Sequence, residues 1–262
     1  MSRHVTLRLL NLRTGPVEDM YRPAATLSTT VTPMDSRFTP CIRPEIFELR
    51  DDYRALSVVA EGVANLARHP DCDEIVEGVR TARPWPAWGD AHLDAWRAAY
   101  RAFGAKPQRT PSSVEALAMR LEGSGQLPSI NAVVDLYNAL SVRFAVPIGG
   151  ENIDAYVGDP ILQRASGQEN FDTLKDGIPC QEPVPAGEVV WADGRGVTCR
   201  RWNWRQGLRT RIELATTRMW FVLERLEPMP LPALHEAGEL LAATLRTLGP
   251  ATITSTVLAP DT

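Results

Sequence analysis

Five arginines and two tryptophans fall within the thirteen residues Cys199–Arg211, CRRWNWRQGLRTR, of a chain whose formal net charge is −4. Indole faces stack on unpaired bases and guanidinium groups hold phosphates, so this composition suits the end of a single-stranded RNA. The same residues suit an ordinary hairpin. On a strand, Trp202 and Trp204 share one face while Arg201, Asn203 and Arg205 share the other. Gln206-Gly207 then reads as the turn, and Leu208, Thr210, Ile212 and Leu214 alternate with Arg209, Arg211 and Glu213 along a return strand. In that competing reading the tryptophans are core and the arginines snorkel at the surface.

Three other groups could do chemistry. Gly149-Gly150, followed by Glu151, is either a backbone turn or a wall where a ligand must approach the main chain closely. Glu224 closes the apolar run MWFVLE on the face of Trp220 and Val222, as a solvated strand end or as a carboxylate aimed into a cleft. Asp135 and Asn138, three residues apart, share one face of a helix, although Asp135 also suits a pair with a surface arginine. No glycine-rich phosphate loop and no Gly-x-Ser-x-Gly elbow occurs. Cys41, Cys72, Cys180 and Cys199 form no Cys-x-x-Cys pair, and the four histidines lack ligand spacing, so neither a metal nor another cofactor is expected.

These groups need elements to hold them. The run 54–59 reads as a buried strand, 71–79 as a short helix, and the Pro/Trp string at 83–88 as a loop. A helix capped by Asp90 carries Leu93, Trp96, Tyr100 and Phe103, and a capping box at Ser112–Glu115 opens another that ends before Gly123. A third, capped by Ser129, runs from about 130 to 144 and would carry Asp135 and Asn138. Strands follow at 161–166, 188–193 and 218–224, separated by Gly/Pro clusters such as GIPCQEPVPAGE. A last helix over 233–248 stops at Gly249-Pro250, before a closing strand TITSTVL. The class is α/β or α+β, a mixed sheet with packed helices.

Length and charge bound the rest. A chain of 262 residues builds a large core, and 28 basic against 32 acidic residues confine any RNA binding to a local patch. Residues 1–33 read as an appended, dispensable extension, with a single module over 34–262. No run approaches the ~20 apolar residues of a membrane span, and the expected location is cytoplasmic.

The segment Ser129–Asp154, SINAVVDLYNALSVRFAVPIGGENID, resembles the tRNA-editing domain of the phenylalanyl-tRNA synthetase beta subunit, through Val133-Val134-Asp135, Asn138 and Pro147. The order of EVVWAD, the Arg/Trp segment and MWFVLE extends the likeness over about residues 40 to 250, closest to freestanding versions of that domain. The resemblance implies metal-free ester hydrolysis at the 3′ end of a mischarged tRNA, or a non-catalytic binder of tRNA or an amino-acid-like ligand. It implies Asn138 and Glu224 as catalytic residues, Glu224 being matched to the glutamate that reads a tyrosine hydroxyl. Gly149, Gly150, Glu151, Trp202 and Asn203 would line the substrate pocket, and Arg200, Arg201 and Arg205 would contact RNA. The family's histidine falls at about Gly149, and CRRWNW replaces a small Ala/Gly-rich pocket floor.

Overall fold

Two long apolar strands, Arg54–Glu61 and Arg218–Arg225, pair antiparallel over their full length at the centre of the fold. The computed structural model describes residues 38–260, so the expected extension over 1–33 lies outside the described residues. In chain order the elements are β1 (Cys41–Ile42), α1 (Pro44–Leu49), β2 (Arg54–Glu61), α2 (Pro70–Ala82), α3 (Gly89–Ala102), α4 (Ser113–Ser124) and α5 (Ala132–Phe144). There follow β3 (Ile148–Asn152), β4 (Ile161–Arg164), β5 (Asn170–Lys175), β6 (Ile178–Pro183), β7 (Val189–Asp193), β8 (Gly196–Arg200) and β9 (Arg205–Gln206). The series closes with β10 (Arg218–Arg225), α6 (Leu231–Leu245) and β11 (Thr252–Leu258).

A four-stranded antiparallel sheet, in the order β11-β2-β10-β3, stands beside a seven-stranded mixed sheet in which β9 pairs with β8. Strand alternation gives β10 two apolar faces. Met219, Phe221 and Leu223 pack with Tyr137 and Leu140 of α5 and Leu241 and Leu245 of α6. Trp220 and Val222 point the other way, into an aromatic core with Tyr53, Trp96, Trp191 and Trp202. Each of those buried rings is worth on the order of 3–5 kcal/mol against truncation. The result is a mixed α+β fold with α5 and α6 on one face of the four-stranded sheet, and the second sheet together with α1 and α3 on the other.

The helices start for local reasons. Ser112 Oγ accepts Glu115 N–H at 3.4 Å and opens α4. Helix α5 is capped two residues later than the expected Ser129, by Asn131, whose Oδ1 accepts Val134 N–H at 3.0 Å. Asp135 accepts from Ile130 N at 2.7 Å and Ser129 Oγ at 3.3 Å, so it closes the start of α5 instead of pairing with an arginine. Asp90 lies inside α3 and accepts from Trp85 Nε1 at 2.9 Å, while Trp88 occupies the cap position. His92 of α3 is pushed down to about 4 by burial; its neutral ring bonds Ala145 O through Nδ1 and accepts Leu226 N–H at Nε2, joining three elements.

Three sequence expectations are corrected. Gly149-Gly150 is not a turn but the middle of β3, paired with Val222 and Phe221 of β10. The segment Ile178–Pro183, read as loop, pairs with β5 across the Asp176-Gly177 turn, where both residues have positive φ. Leu208–Leu214 is irregular and forms no return strand. Among the described residues, no helix is long and apolar enough to cross a membrane.

Candidate functional site

The register of β3 on β10 builds a gap. Glu151 lies opposite Trp220 and Gly149 opposite Val222, both on the face directed to the second sheet. Beyond Val222 on the same face, Glu224 donates its backbone N–H to Pro147 O at 3.0 Å. About 13 Å of strand therefore separates the two glutamates, and the side-chain-free Gly149 lies between them. A cavity of about 130 Å³ occupies this position, and Asn138, Gly149, Glu151, Trp202, Asn203 and Glu224 all contribute to its lining. Gly150 faces the opposite way, where a Cβ would stand 2.7 Å from Tyr137 Cε1. Its function is the close approach of α5 to β3, not the cavity wall.

Both carboxyl groups are buried, Glu224 at 1% exposure and Glu151 at 4%. Tyr53 Oη donates to Glu224 Oε1 at 2.8 Å and Trp191 Nε1 donates to the same oxygen at 3.2 Å. Burial pushes Glu224 up to about 7; the donors oppose that rise and the charge of Glu151 adds to it. Burial likewise pushes Glu151 up to about 7, against the Tyr156 hydroxyl, which donates to it, and the nearby Thr210 and Thr198 hydroxyls. A carboxyl that changes charge near neutrality can both take up and return a proton there, and this cavity holds two. Cys199 also lines the cavity, but burial holds its pKa far above the usual thiol value, so it is a thiol and not a thiolate nucleophile.

The lining also carries polar atoms without partners. Among the described residues Ser113 Oγ, Trp202 Nε1 and Asn203 Nδ2 are buried without a partner in good hydrogen-bonding geometry, although Trp202 lies beside the Tyr53 hydroxyl, Asn203 Nδ2 lies beside Glu224, and Asn203 Oδ1 accepts from Tyr100 at 2.8 Å. Leaving such groups unsatisfied costs roughly 1–3 kcal/mol each. A ligand offering acceptors to Trp202 and Asn203 and a donor to the carboxylates would recover that loss.

The Arg/Trp segment takes a different course from the expected hairpin. After β8 the chain reverses through Arg201 and Trp202, both in the left-handed region at φ 47° and 67°. The reversal lies at these residues, not at Gln206-Gly207, and it sends the two indoles to different environments. Trp202 is fully buried, 5.0 Å from the Tyr53 ring and 5.3 Å from Trp96. Trp204 is half-buried beneath the guanidinium of Arg201 at 4.2 Å.

The arginines divide similarly. Arg200 is buried and gives two bonds to Glu188, at 2.8 and 2.9 Å, and one to Glu182 at 3.2 Å, so the expected RNA-contacting cation is a structural strut. Arg201 is partly exposed, and Arg205 is exposed with a single bond to Leu174 O at 3.4 Å. Arg209 clamps Asp193 through two bonds, at 2.9 and 2.8 Å. Gln206 Nε2 donates to Gly150 O at 2.8 Å and fixes the outer edge of β3. Tyr53, Trp191, Tyr156 and Gln206 were missing from the sequence-derived set. Trp191 alone carried a signal, since an indole N–H inside an apolar strand needs a buried acceptor.

Residues 95–231 match the family described as B3/4 domain. Among solved structures, the chain is similar to an N-terminal fragment of the phenylalanyl-tRNA synthetase beta-subunit from Pyrococcus horikoshii, at 10% identity and a TM-score of 0.44. That likeness covers 86% of this chain and 55% of the other, so the chain spans little more than half the length of that structure. No curated protein matches.

Proposed function

The chain belongs to the B3/4 domain family, and on that premise we propose that it binds the aminoacylated 3′ end of a tRNA and hydrolyses the ester of a mischarged residue in trans. The observation carrying this reading is that Asn138, Gly149 and Glu224, distant in sequence, line one cavity with a second carboxyl group, Glu151. At about 130 Å³ the cavity is near the ~150 Å³ that holds a single benzene ring, so it suits one amino-acid side chain and little more.

The chemistry follows from the groups present. Water attacks the ester carbonyl, and ionised Glu224, through the oxygen not bonded to Tyr53 and Trp191, takes a proton from it. Trp202 Nε1 and Asn203 Nδ2 donate to the carbonyl oxygen as it becomes negative. Collapse breaks the ester bond, and the ribose hydroxyl leaves with the proton Glu224 returns. Asn138 orients the substrate from α5.

Deacylation of a panel of mischarged tRNAs, by the full chain and by Glu224→Ala and Asn138→Ala, tests this. Turnover lost in both variants supports it, and no turnover of any ester by the unaltered chain sinks it. The same assay after deletion of residues 1–33 tests whether that segment is dispensable. The second reading, a binder without turnover, is favoured by Gly149 standing where the resembled domain has histidine. Filter binding separates the two, since tRNA retained without hydrolysis identifies the binder.

A further inference from the structure

The turn that supplies Trp202 and Asn203 to the cavity also forms the wall of a second cleft, of about 410 Å³, lined by Phe103, Lys106, Arg109, Pro185, Glu188 and Arg201. It opens between the loop after α3 and the loop before β7. Its charge is unbalanced. Glu188 is the acidic group in the lining, and both its oxygens are already engaged by Arg200, with Arg201 N–H donating to one of them at 3.2 Å. The Arg201 guanidinium approaches Glu188 only to 3.5 Å. Lys106 and Arg109 are exposed and form no ion pair among the described residues. Three cations thus face one neutralised carboxylate, in a chain with a net charge of −4.

Burial lowers the pKa of Arg201, the charge of Glu188 opposes that fall, and the neighbouring Arg200 adds to it, so Arg201 shares with Arg200 a single carboxylate. Flat surfaces stand beside the cations: Phe103 in the cleft wall and the half-buried Trp204 under Arg201. Phe103 also packs on Trp202, with ring centroids 6.4 Å apart, so cleft and cavity are divided by one turn and a ring contact. Cations interleaved with aromatic planes fit a phosphodiester chain with unpaired bases; an acidic peptide would leave the planes unused.

We propose that Lys106, Arg109 and Arg201 form the docking site for the phosphate backbone of a single-stranded nucleic acid whose terminal group enters the cavity. The inference rests on the reading of the cavity given above for its account of the terminal group, while the cleft itself is tested independently. Lys106 and Arg109 are taken to meet one phosphate each, and Arg201 is held by its stack on Trp204.

The test is fluorescence anisotropy of a short labelled single-stranded oligoribonucleotide, across a salt series, with the full chain and the double variant Lys106→Ala/Arg109→Ala. The expected result is at least tenfold weaker binding at low salt, with the slope of log K against log salt reduced by about 1.4, from two lost phosphates at ~0.7 each. Arg120→Ala, an exposed arginine on α4, should bind as the unaltered chain does. Unchanged affinity and slope in the double variant, or no binding by the unaltered chain, overturns the proposal. Competition by inorganic phosphate or polyglutamate as effective as that by unlabelled oligonucleotide also overturns it, as a general anion site or an acidic-peptide groove. Turnover of a small aminoacyl ester lacking phosphate by the unaltered chain tests the cavity alone, so the two readings fail separately.

Discussion

Glu224→Gln offers the sharpest perturbation, because it removes a charge while keeping the shape that the surroundings fit. Tyr53 and Trp191 both donate to Oε1, and the glutamine carbonyl accepts the same two bonds. Burial raises the Glu224 carboxyl from an ordinary 4.5 to about 7. At 1.36 kcal/mol per pKa unit, ionising it inside the fold costs on the order of 3 kcal/mol. The sign follows from proton uptake. Between the two values the native state binds more protons than the unfolded chain, so stability is full below pH ~4.5 and falls as pH rises through ~7. Urea unfolding of both proteins between pH 5 and 8 measures this. At pH 5 the two should agree within ~1 kcal/mol, and at pH 8 the variant should be the more stable by about 2–3 kcal/mol. Glu151 also titrates from about 7, so the variant keeps part of the slope. A stability difference that does not change between pH 5 and 8 would refute the assignment of Glu224 as a buried, strongly shifted acid.

The adjacent glycines should respond oppositely. Gly150→Ala sets a methyl 2.7 Å from Tyr137 and should cost about 1–3 kcal/mol in thermal unfolding. Gly149→Ala meets only Val222 Cγ1 at 3.4 Å, so stability should hold, while its methyl enters the cavity and weakens ester turnover or ligand binding by roughly tenfold or more. Arg209→Ala strips the clamp from Asp193, whose side chain is fully buried, and should lower stability by about 3 kcal/mol in urea unfolding.

Helices α2 to α6 and strand β10 were legible because their signals are local, such as the cap at Ser112, the aromatic stripe of α3 and the apolar run of β10, whereas the short α1 was not read. Some misreadings involve partners far away in sequence, and others a local conformation that the residue types rarely adopt. Gly149-Gly150 carries a turn signature, and only the Tyr137 ring at one face and the cavity at the other explain why two glycines occupy a strand. Trp202 and Trp204 satisfied strand alternation, yet left-handed Arg201 and Trp202 broke the period, at residue types that rarely adopt that conformation. Asp176-Gly177 was a readable hairpin turn, masked by Pro179 and Pro183 in the strand it starts. At the site, parity placed Glu224 on the right face. The tyrosine and tryptophan hydrogen bonds that hold it depend on β2 and β7 converging, which no spacing encodes.

The irregular loop 207–216 runs along an open strand edge. Among the described residues, strand β3 pairs with β10 on one side only, and its other edge receives Gln206 Nε2 at Gly150 O and donates Asn152 N–H to Thr210 O at 2.8 Å. Gln206 of β9 and the irregular segment after it thus occupy pairing groups that an exposed edge would offer to a strand from another molecule. Had Leu208–Leu214 formed the regular strand its alternation suggests, it would itself have ended the sheet with a fresh row of unpaired amides. Its irregular path closes that edge of the cavity-bearing sheet to self-association.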